Sequence, residues 1–262
     1  MTIEIFDTKA TINSKNKATK NWKKHNFIYE KNSEILIEKI FEIEKKFKNI
    51  LLITSDCDET FNKLRTLEYK TITLLTEYTE LHKNINDCCK IQKNLDEKKN
   101  KFDLIISNLC LHRISDIITY GTIIKSLLNQ HGFFICSFFG GKTLIELRDS
   151  LIRTDQKLLS GTYQRVIPYV DMIDACNLFN QIGFKEIVSD KNTFKIKYKK
   201  FYTLLQDING TGENCNLRSR YKGLMTKNYI NKLEQEYKKK FYDREEKFKA
   251  TCDLVFLSMW ND

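Results

Sequence analysis

Four short, almost uninterrupted apolar runs punctuate the chain: Ile50 to Ile53, Thr71 to Leu75, Phe102 to Ile106 and Phe133 to Phe138. Runs of this length with few polar breaks suit strands buried on both faces of a parallel sheet. A weaker strand is expected near Cys88 to Ile91, a long bent strand or hairpin over Glu186 to Tyr198, and a last strand over Thr251 to Ser258. Helical periodicity fills the intervals. It starts at Ser33, a candidate N-cap ahead of Ile35, Leu36, Ile40 and Ile43. Ser115 or Asp116 is placed to cap a helix ending near Asn129, with Gly132 turning the chain back into the sheet. After a Gly140-Gly141 turn, Thr143 and Glu146 have the spacing of a capping box, and Leu144, Leu147 and Leu151 mark one helical face. Further helices are expected from Asp171 to Gln181, closed by Gly183, and over Phe201 to Ile208 and Thr226 to Phe241.

This alternation predicts a Rossmann-like α/β fold: a seven-stranded, mostly parallel sheet with helices on both faces and a helical insertion before the last strand. The chain reads as a single domain over 1-262, with an N-terminal arm and helix (1-46), a Rossmann-like core (47-198) and the helical insertion with the final strand (199-262). The arm is polar, anchored by isolated apolar residues at Ile5, Phe6, Trp22, Phe27 and Tyr29. In doubly wound sheets ligands bind outside the carboxyl ends of the strands, where strand order reverses. Thr54 to Asp58, Thr76 to Glu77 and Ser107 to His112 are therefore the segments expected to border a pocket.

Composition narrows the functional classes. Hydrophobic residues make up 41% of 262, and no apolar run approaches the roughly 20 residues of a bilayer-spanning helix, so no membrane span is expected. The opening MTIEIFDTKA lacks the charged-then-apolar layout of a secretory signal, which makes a cytoplasmic location the default expectation. The eight cysteines form no C-x-x-C and no Cys/His pairing of zinc-site type; they read as reduced thiols, and no metal is expected. A formal charge of +10 suits an acidic partner. No basic block interleaved with exposed aromatics stands out, so no nucleic-acid partner is expected.

Three stretches carry a resemblance. The first is Ile5-Phe6-Asp7. The second runs from Phe102-Asp-Leu-Ile-Ile-Ser-Asn-Leu-Cys-Leu-His112 to Phe139-Gly-Gly-Lys-Thr-Leu-Ile-Glu-Leu-Arg-Asp-Ser-Leu151. The third comprises Arg165-Val-Ile-Pro-Tyr169, Gly183-Phe184, Leu205-Gln-Asp-Ile-Asn-Gly-Thr-Gly-Glu-Asn214 and Trp260. Together they resemble one branch of the S-adenosylmethionine (SAM) methyltransferases. That branch contains the malonyl-acyl-carrier-protein O-methyltransferase of biotin synthesis and the mitochondrial complex I assembly factor that acts as an arginine hydroxylase. The Phe-Gly-Gly-x-Thr-Leu-x-Glu-Leu-Arg run is the most specific element, and it favours the subgroup nearer the complex I factor.

The resemblance implies SAM as cofactor, with Thr54, Asp56, Asp58, Glu77 and Asn108 on its side of the site. The family's loop after the first strand reads Asp-x-Gly-x-Gly-x-Gly; here the matching run is Leu52-Ile-Thr54-Ser-Asp56-Cys-Asp58, without the glycines or the leading carboxylate. Glycine serves a tight turn and a close ligand approach there. The new carboxylates are expected to repel the methionine carboxylate of SAM, at a cost of roughly 3 to 5 kcal/mol. Glu77 falls near the ribose-binding acid, or is a solvated carboxylate at a helix start. On the substrate side the resemblance points to His112, Gly140, Gly141, Arg148 and Arg165. His112 is a ligand contact or a structural histidine, and Arg113 stands where the family often has Trp. Gly140 and Gly141 cradle an anion or make a turn. Arg148 and Arg165 clamp a malonyl carboxylate or form salt bridges. Gly212, Glu213 and Asn214 match family residues without an assigned role. No catalytic residue is singled out, since methylation of a carboxylate requires alignment rather than a strong base. The leading expectation is O-methylation of malonyl-acyl-carrier protein, with that carrier as partner. The alternatives are a complex I assembly factor acting on a respiratory subunit, and a non-catalytic relative that has lost SAM.

Overall fold

The computed structural model describes residues 4–76, 82, 90–92, 101–159 and 161–262. The arm is helical: α1 (Thr8–Ala18), capped by the Asp7 carboxylate on the Ala10 amide, leads through a 3-10 segment (Thr19–Lys24) into α2 (Phe27–Phe41). Ser33 is therefore not an N-cap. The apolar stripe of α2 starts at Tyr29 and continues through Leu36, Ile37 and Ile40, and Ser33 lies within it, buried. What holds the start of this helix is Trp22, whose ring meets Tyr29 edge to face at 4.8 Å.

The strands are β1 (Asn49–Thr54), β2 (Thr71–Leu75), β3 (Lys90–Gln92), β4 (Phe102–Asn108), β5 (Leu128–Phe139), β6 (Lys185–Tyr198) and β7 (Phe248–Asn261). They form one mixed sheet in the order β3-β2-β1-β4-β5-β7-β6. The pairings from β3 to β5 are parallel, and β7 runs antiparallel to both β5 and β6. The remaining helices are α3 (Glu59–Leu64), α4 (Ile117–Leu127), α5 (Ile145–Leu158), α6 (Met172–Ile182), α7 (Phe201–Gly210) and α8 (Lys227–Phe241). Alternate strand residues feed opposite cores, as a period of two requires. Ile50 and Leu52 pack with α2 and α3, whereas Leu51 joins Ile105, Phe134 and Phe179 on the α4/α6 side. A third cluster joins α5, α7 and α8 to the outer ends of β6 and β7.

Two local expectations change. α4 is capped by Asp116 but passes directly into β5 at Leu128, so Gly132 lies inside the strand and the positive φ falls on His131 (57°). Thr143 and Glu146 form no capping box. The Thr143 hydroxyl donates to the Asp253 carbonyl and accepts from the Asp253 amide, while the Glu146 carboxylate accepts from the amide and hydroxyl of Thr251. Both side chains are taken up by β7, and α5 starts at Ile145 behind Leu144, which has φ 54° and no side-chain cap. Among the described residues no helix is long and apolar enough to cross a membrane.

Candidate functional site

In this sheet the connections reverse between β1 and β4, and the crevice opens beyond Thr54 and Asn108. It is a hollow of about 340 Å³ with Ile53, Leu75, Leu109 and Ile114 among its walls, and Phe6, Thr8 and Thr11 of the arm lie along it. That size is at the lower end of small-ligand sites, which run from about 300 to 1,000 Å³.

The loop after β1 faces inward. Asp56 is fully buried, and its Oδ2 accepts from the Thr60 amide at 3.0 Å, from the Thr60 hydroxyl and from Asn108 Nδ2 at 2.9 Å. Asn108 also donates to the Thr54 hydroxyl, and its carbonyl oxygen accepts from Ser137 and Asn32. The Ser33 and Thr60 hydroxyls share a bond of 2.8 Å. Asp56 and Asn108 are thus pinned beneath the loop by side chains of α2, α3 and β5, while Thr54 lines the hollow. Asp58 has φ 74°, the left-handed conformation that a glycine favours, and its carboxylate meets His82 Nδ1 at 2.9 Å. One carboxylate is thus held in a polar network beneath the loop, and the other is partnered by His82. Glu77 lies outside the described residues.

The inner end of the hollow is occupied by a buried charge cluster centred on Glu213. Its carboxylate accepts from Lys15 Nζ at 2.6 Å, Arg113 Nη2 at 2.9 Å and the Tyr29 hydroxyl, and lies 3.2 Å from His112 Nε2. Lys15 Nζ also donates to the carbonyls of Thr211 at 3.1 Å and Ser55 at 3.4 Å, and lies 2.8 Å from the Tyr29 oxygen. Burial by itself would raise the Glu213 pKa, but the Arg113, Lys15 and His112 charges outweigh it and hold the group well below its usual range. Burial lowers His112. Gly212 makes the cluster possible: it has φ 69°, and a Cβ there would lie 3.0 Å from the Lys15 backbone. Cys110, beside this cluster, is pushed up to about 12 by burial and stays a thiol at neutral pH.

On the far side of Glu213 lies a chamber of about 390 Å³, walled by Leu144, Leu147, Ile167 and Leu233. Arg165 lines it. The Arg165 Nε donates to both oxygens of buried Asp155, at 3.0 and 3.1 Å, and its guanidinium lies over the rings of Tyr221 and Tyr229. Its Nη2 is buried and has no hydrogen-bond partner among the described residues. Arg148 does not join it; Arg148 donates to the Ile167 carbonyl at 3.4 Å. The Gly140 amide is taken by the Asp253 carbonyl at 2.9 Å and a Cβ at Gly140 would meet Val255 at 2.7 Å, so Gly140 packs against β7, whereas a Cβ at Gly141 would meet nothing closer than Asp171 at 3.8 Å. Among the described residues no group of three or more His, Cys, Asp or Glu side chains could hold a metal ion.

No family model matches the chain. Human mitochondrial arginine-hydroxylase NDUFAF5 is 28% identical over 163 residues, 62% of this chain and 47% of that protein. Protein RP459 of Rickettsia prowazekii, provisionally named a methyltransferase, is 29% identical over 209 residues, 73% of this chain and 90% of that protein. Malonyl-[acyl-carrier protein] O-methyltransferase 1 of Ilyobacter polytropus is 30% identical over 161 residues, 62% of this chain and 57% of that protein. The YcgJ protein of Bacillus subtilis superimposes with a TM-score of 0.57 at 10% identity, over 87% of this chain and 97% of that one. The chain has the fold of the class I methyltransferases and is similar in sequence to proteins named as methyltransferases and as an arginine hydroxylase. It spans about half the length of the arginine hydroxylase and of the malonyl-carrier enzyme that it resembles.

The plantazolicin methyltransferase BpumL, with this fold at a TM-score of 0.50 and 12% identity over 94% of this chain and 90% of that one, was solved with S-adenosylhomocysteine. The residues of the present chain fit only part of such a ligand. The strand-end hollow, of about 340 Å³, combines apolar walls at Ile53, Leu75, Leu109 and Ile114 with hydroxyls of Thr8, Thr11, Thr54 and Ser55, a mixture that suits a nucleoside. Beyond Ser55, where the family's loop meets the methionine part of SAM, the volume is filled by Lys15, Tyr29 and Glu213, each less than a tenth exposed. Whole SAM does not fit this arrangement, and no chemical step is derived through it.

Sequence reasoning named Glu213 without a role and overlooked Lys15. The signal for the first was local: a carboxylate directly after Gly-Thr-Gly, between a helix and an extended segment. For Lys15 there was none, because it is one lysine among many on a weakly patterned helix.

Proposed function

We propose that this chain is a methyltransferase-fold binding protein, which holds an adenine nucleoside at the strand ends, engages a protein partner and transfers no methyl group. The Arg113–Glu213 pair carries this reading. Arg113 lines the strand-end hollow and Glu213 lines the chamber, the two spaces share no lining residue, and the 2.9 Å ion pair stands where their walls meet. Methyl transfer needs donor and acceptor within about 3.5 Å in line. A buried, ion-paired cluster between the two spaces works against that, and so does the volume filled by Lys15. A respiratory complex I subunit is the partner that suits the arginine-hydroxylase relatives, and the +10 charge suits an acidic surface on it. Incubation with labelled SAM and malonyl-acyl-carrier protein tests the reading. The expected transfer is no greater than in a protein-free blank, whereas turnover would overturn it.

One observation favours a second reading, O-methylation of a malonyl group on acyl carrier protein. The Nη2 of Arg165, without a hydrogen-bond partner among the described residues and in the wall of a mostly apolar chamber, offers a charge-assisted bond to a carboxylate. Under that reading the same assay gives methyl ester, and Arg165→Lys raises KM for the malonyl carrier by about tenfold or more.

A further inference from the structure

The mismatch with SAM has a definite physical form. On α1, Thr8, Thr11 and Lys15 share one face at i, i+3 and i+7. The first two lie along the strand-end hollow, and the third continues the same line past its inner end. There the Lys15 ammonium, fully buried, is surrounded by oxygens of Glu213, Tyr29, Thr211 and Ser55 at 2.6, 2.8, 3.1 and 3.4 Å. Ser55 contributes to both places: the residue lines the hollow, and its carbonyl faces Lys15. A ligand tail that follows the loop past Ser55 meets this ammonium.

We propose that Lys15 is a built-in substitute for a ligand's amino-acid ammonium, so that the site selects adenine nucleosides with a short neutral 5′ substituent and rejects those with an amino-acid tail. This rests on the nucleoside reading of the hollow given above. An ammonium has three protons to donate, and here the acceptors around it are a carboxylate, a phenol oxygen and two carbonyls. A second ammonium would find neither free acceptors nor room. Conversely, a buried carboxylate and carbonyls left without their cation are costly, so removing the lysine head creates a ready cation site.

The test is calorimetric titration of the full chain and of Lys15→Ala with 5′-methylthioadenosine, SAM and n-propylammonium. The last supplies the atoms that Lys15→Ala removes beyond Cβ. The natural chain is expected to bind 5′-methylthioadenosine at least about tenfold more tightly than SAM. In Lys15→Ala, SAM affinity should rise by about tenfold or more while 5′-methylthioadenosine stays within about threefold. n-Propylammonium should raise the melting temperature of the variant alone and compete with SAM for it. Equal binding of both ligands by the natural chain would overturn the proposal. So would a SAM affinity in Lys15→Ala that is unchanged or lower, the latter marking Lys15 as a partner for the ligand carboxylate. If neither protein binds any nucleoside, the reading of the hollow fails by itself. The role of Lys15 is then decided by n-propylammonium, and no stabilisation of the variant overturns it. Should Lys15→Ala not fold, Lys15→Ala/Glu213→Gln leaves no unpaired buried carboxylate and carries the same titrations.

Discussion

Replacing Glu213 with glutamine removes the negative charge around which two buried cations and a phenol are arranged. In the native chain that carboxylate takes Lys15 at 2.6 Å and Arg113 at 2.9 Å, with Tyr29 and His112 completing its shell. Glutamine keeps the shape but leaves two unneutralised cations in a water-excluded site. Breaking a buried ion pair from one side costs about 3–5 kcal/mol. At about 2–4 °C per kcal/mol for a chain of this order of size, the melting temperature should fall by roughly 6–20 °C. Urea unfolding at neutral pH measures the loss directly. Lys15→Met/Glu213→Gln should be less destabilised than the sum of its single variants by about 1.5 kcal/mol or more, because only Arg113 is then left uncompensated. Arg113 retains the carbonyls of Gly212 and Asn214. The pH dependence has a definite sign. The folded-state pKa of Glu213 lies well below its ordinary 4.5, so its stabilisation is complete above that value and is lost as pH falls toward the folded value. The gap between native and Glu213→Gln chains should therefore narrow on acidification below about pH 4.5. A loss under about 1 kcal/mol at neutral pH, or strict additivity in the double variant, would refute the assignment of Glu213 as the hub of the site.

Three further outcomes follow from the same geometry. Asp56→Gly, although it restores a family glycine, should destabilise the fold by about 3 kcal/mol or more, because the Thr60 amide and Asn108 lose a buried acceptor; an unchanged urea midpoint would contradict the inward network. Gly140→Ala should cost about 1–3 kcal/mol through contact with Val255, while Gly141→Ala, whose nearest neighbour would be 3.8 Å away, should lie within about 0.5 kcal/mol of the native chain. Thermal melts of the two variants separate a packing role from an anion cradle, since loss of a cradle would affect both alike. Glu59 is raised to about 7, first by burial and then by the Asp56 charge. Its protonated form is favoured in the folded state, so stability should decline as pH rises from about 4.5 through about 7. Glu59→Gln should flatten that slope in melts across the range, and an unaltered slope would assign it to another group.

The strands were the most legible part of the chain, because residues such as Leu51 and Leu52 serve opposite cores within an unbroken apolar run. Helix boundaries were less so. Ser33 has the chemistry of an N-cap, but the stripe that buries α2 already includes Tyr29, and the hydroxyl is used against Thr60 instead. Thr143 and Glu146 satisfy a local capping rule, yet they serve Asp253 and Thr251, 105 to 110 residues away. At the site, the sequence located the loop at 54–58 and its missing glycines, and the left-handed backbone at Asp58 preserves the shape those glycines allow. The direction in which the carboxylates point could not be read locally, since it depends on Asn108 from β4 and Ser33 from α2. Lys15 illustrates the limit most clearly. Its position is set by the left-handed Gly212 packing against the α1 backbone, a contact between residues almost two hundred positions apart.

A crystal of the full chain soaked with SAM, and a second soaked with 5′-methylthioadenosine, would examine the site most directly. The account predicts density for 5′-methylthioadenosine between the arm and the ends of β1, β2 and β4, with Lys15 still on Glu213, and no ordered SAM. Density for intact SAM, its methionine portion past Ser55 and Lys15 displaced from the Glu213 carboxylate, would contradict it.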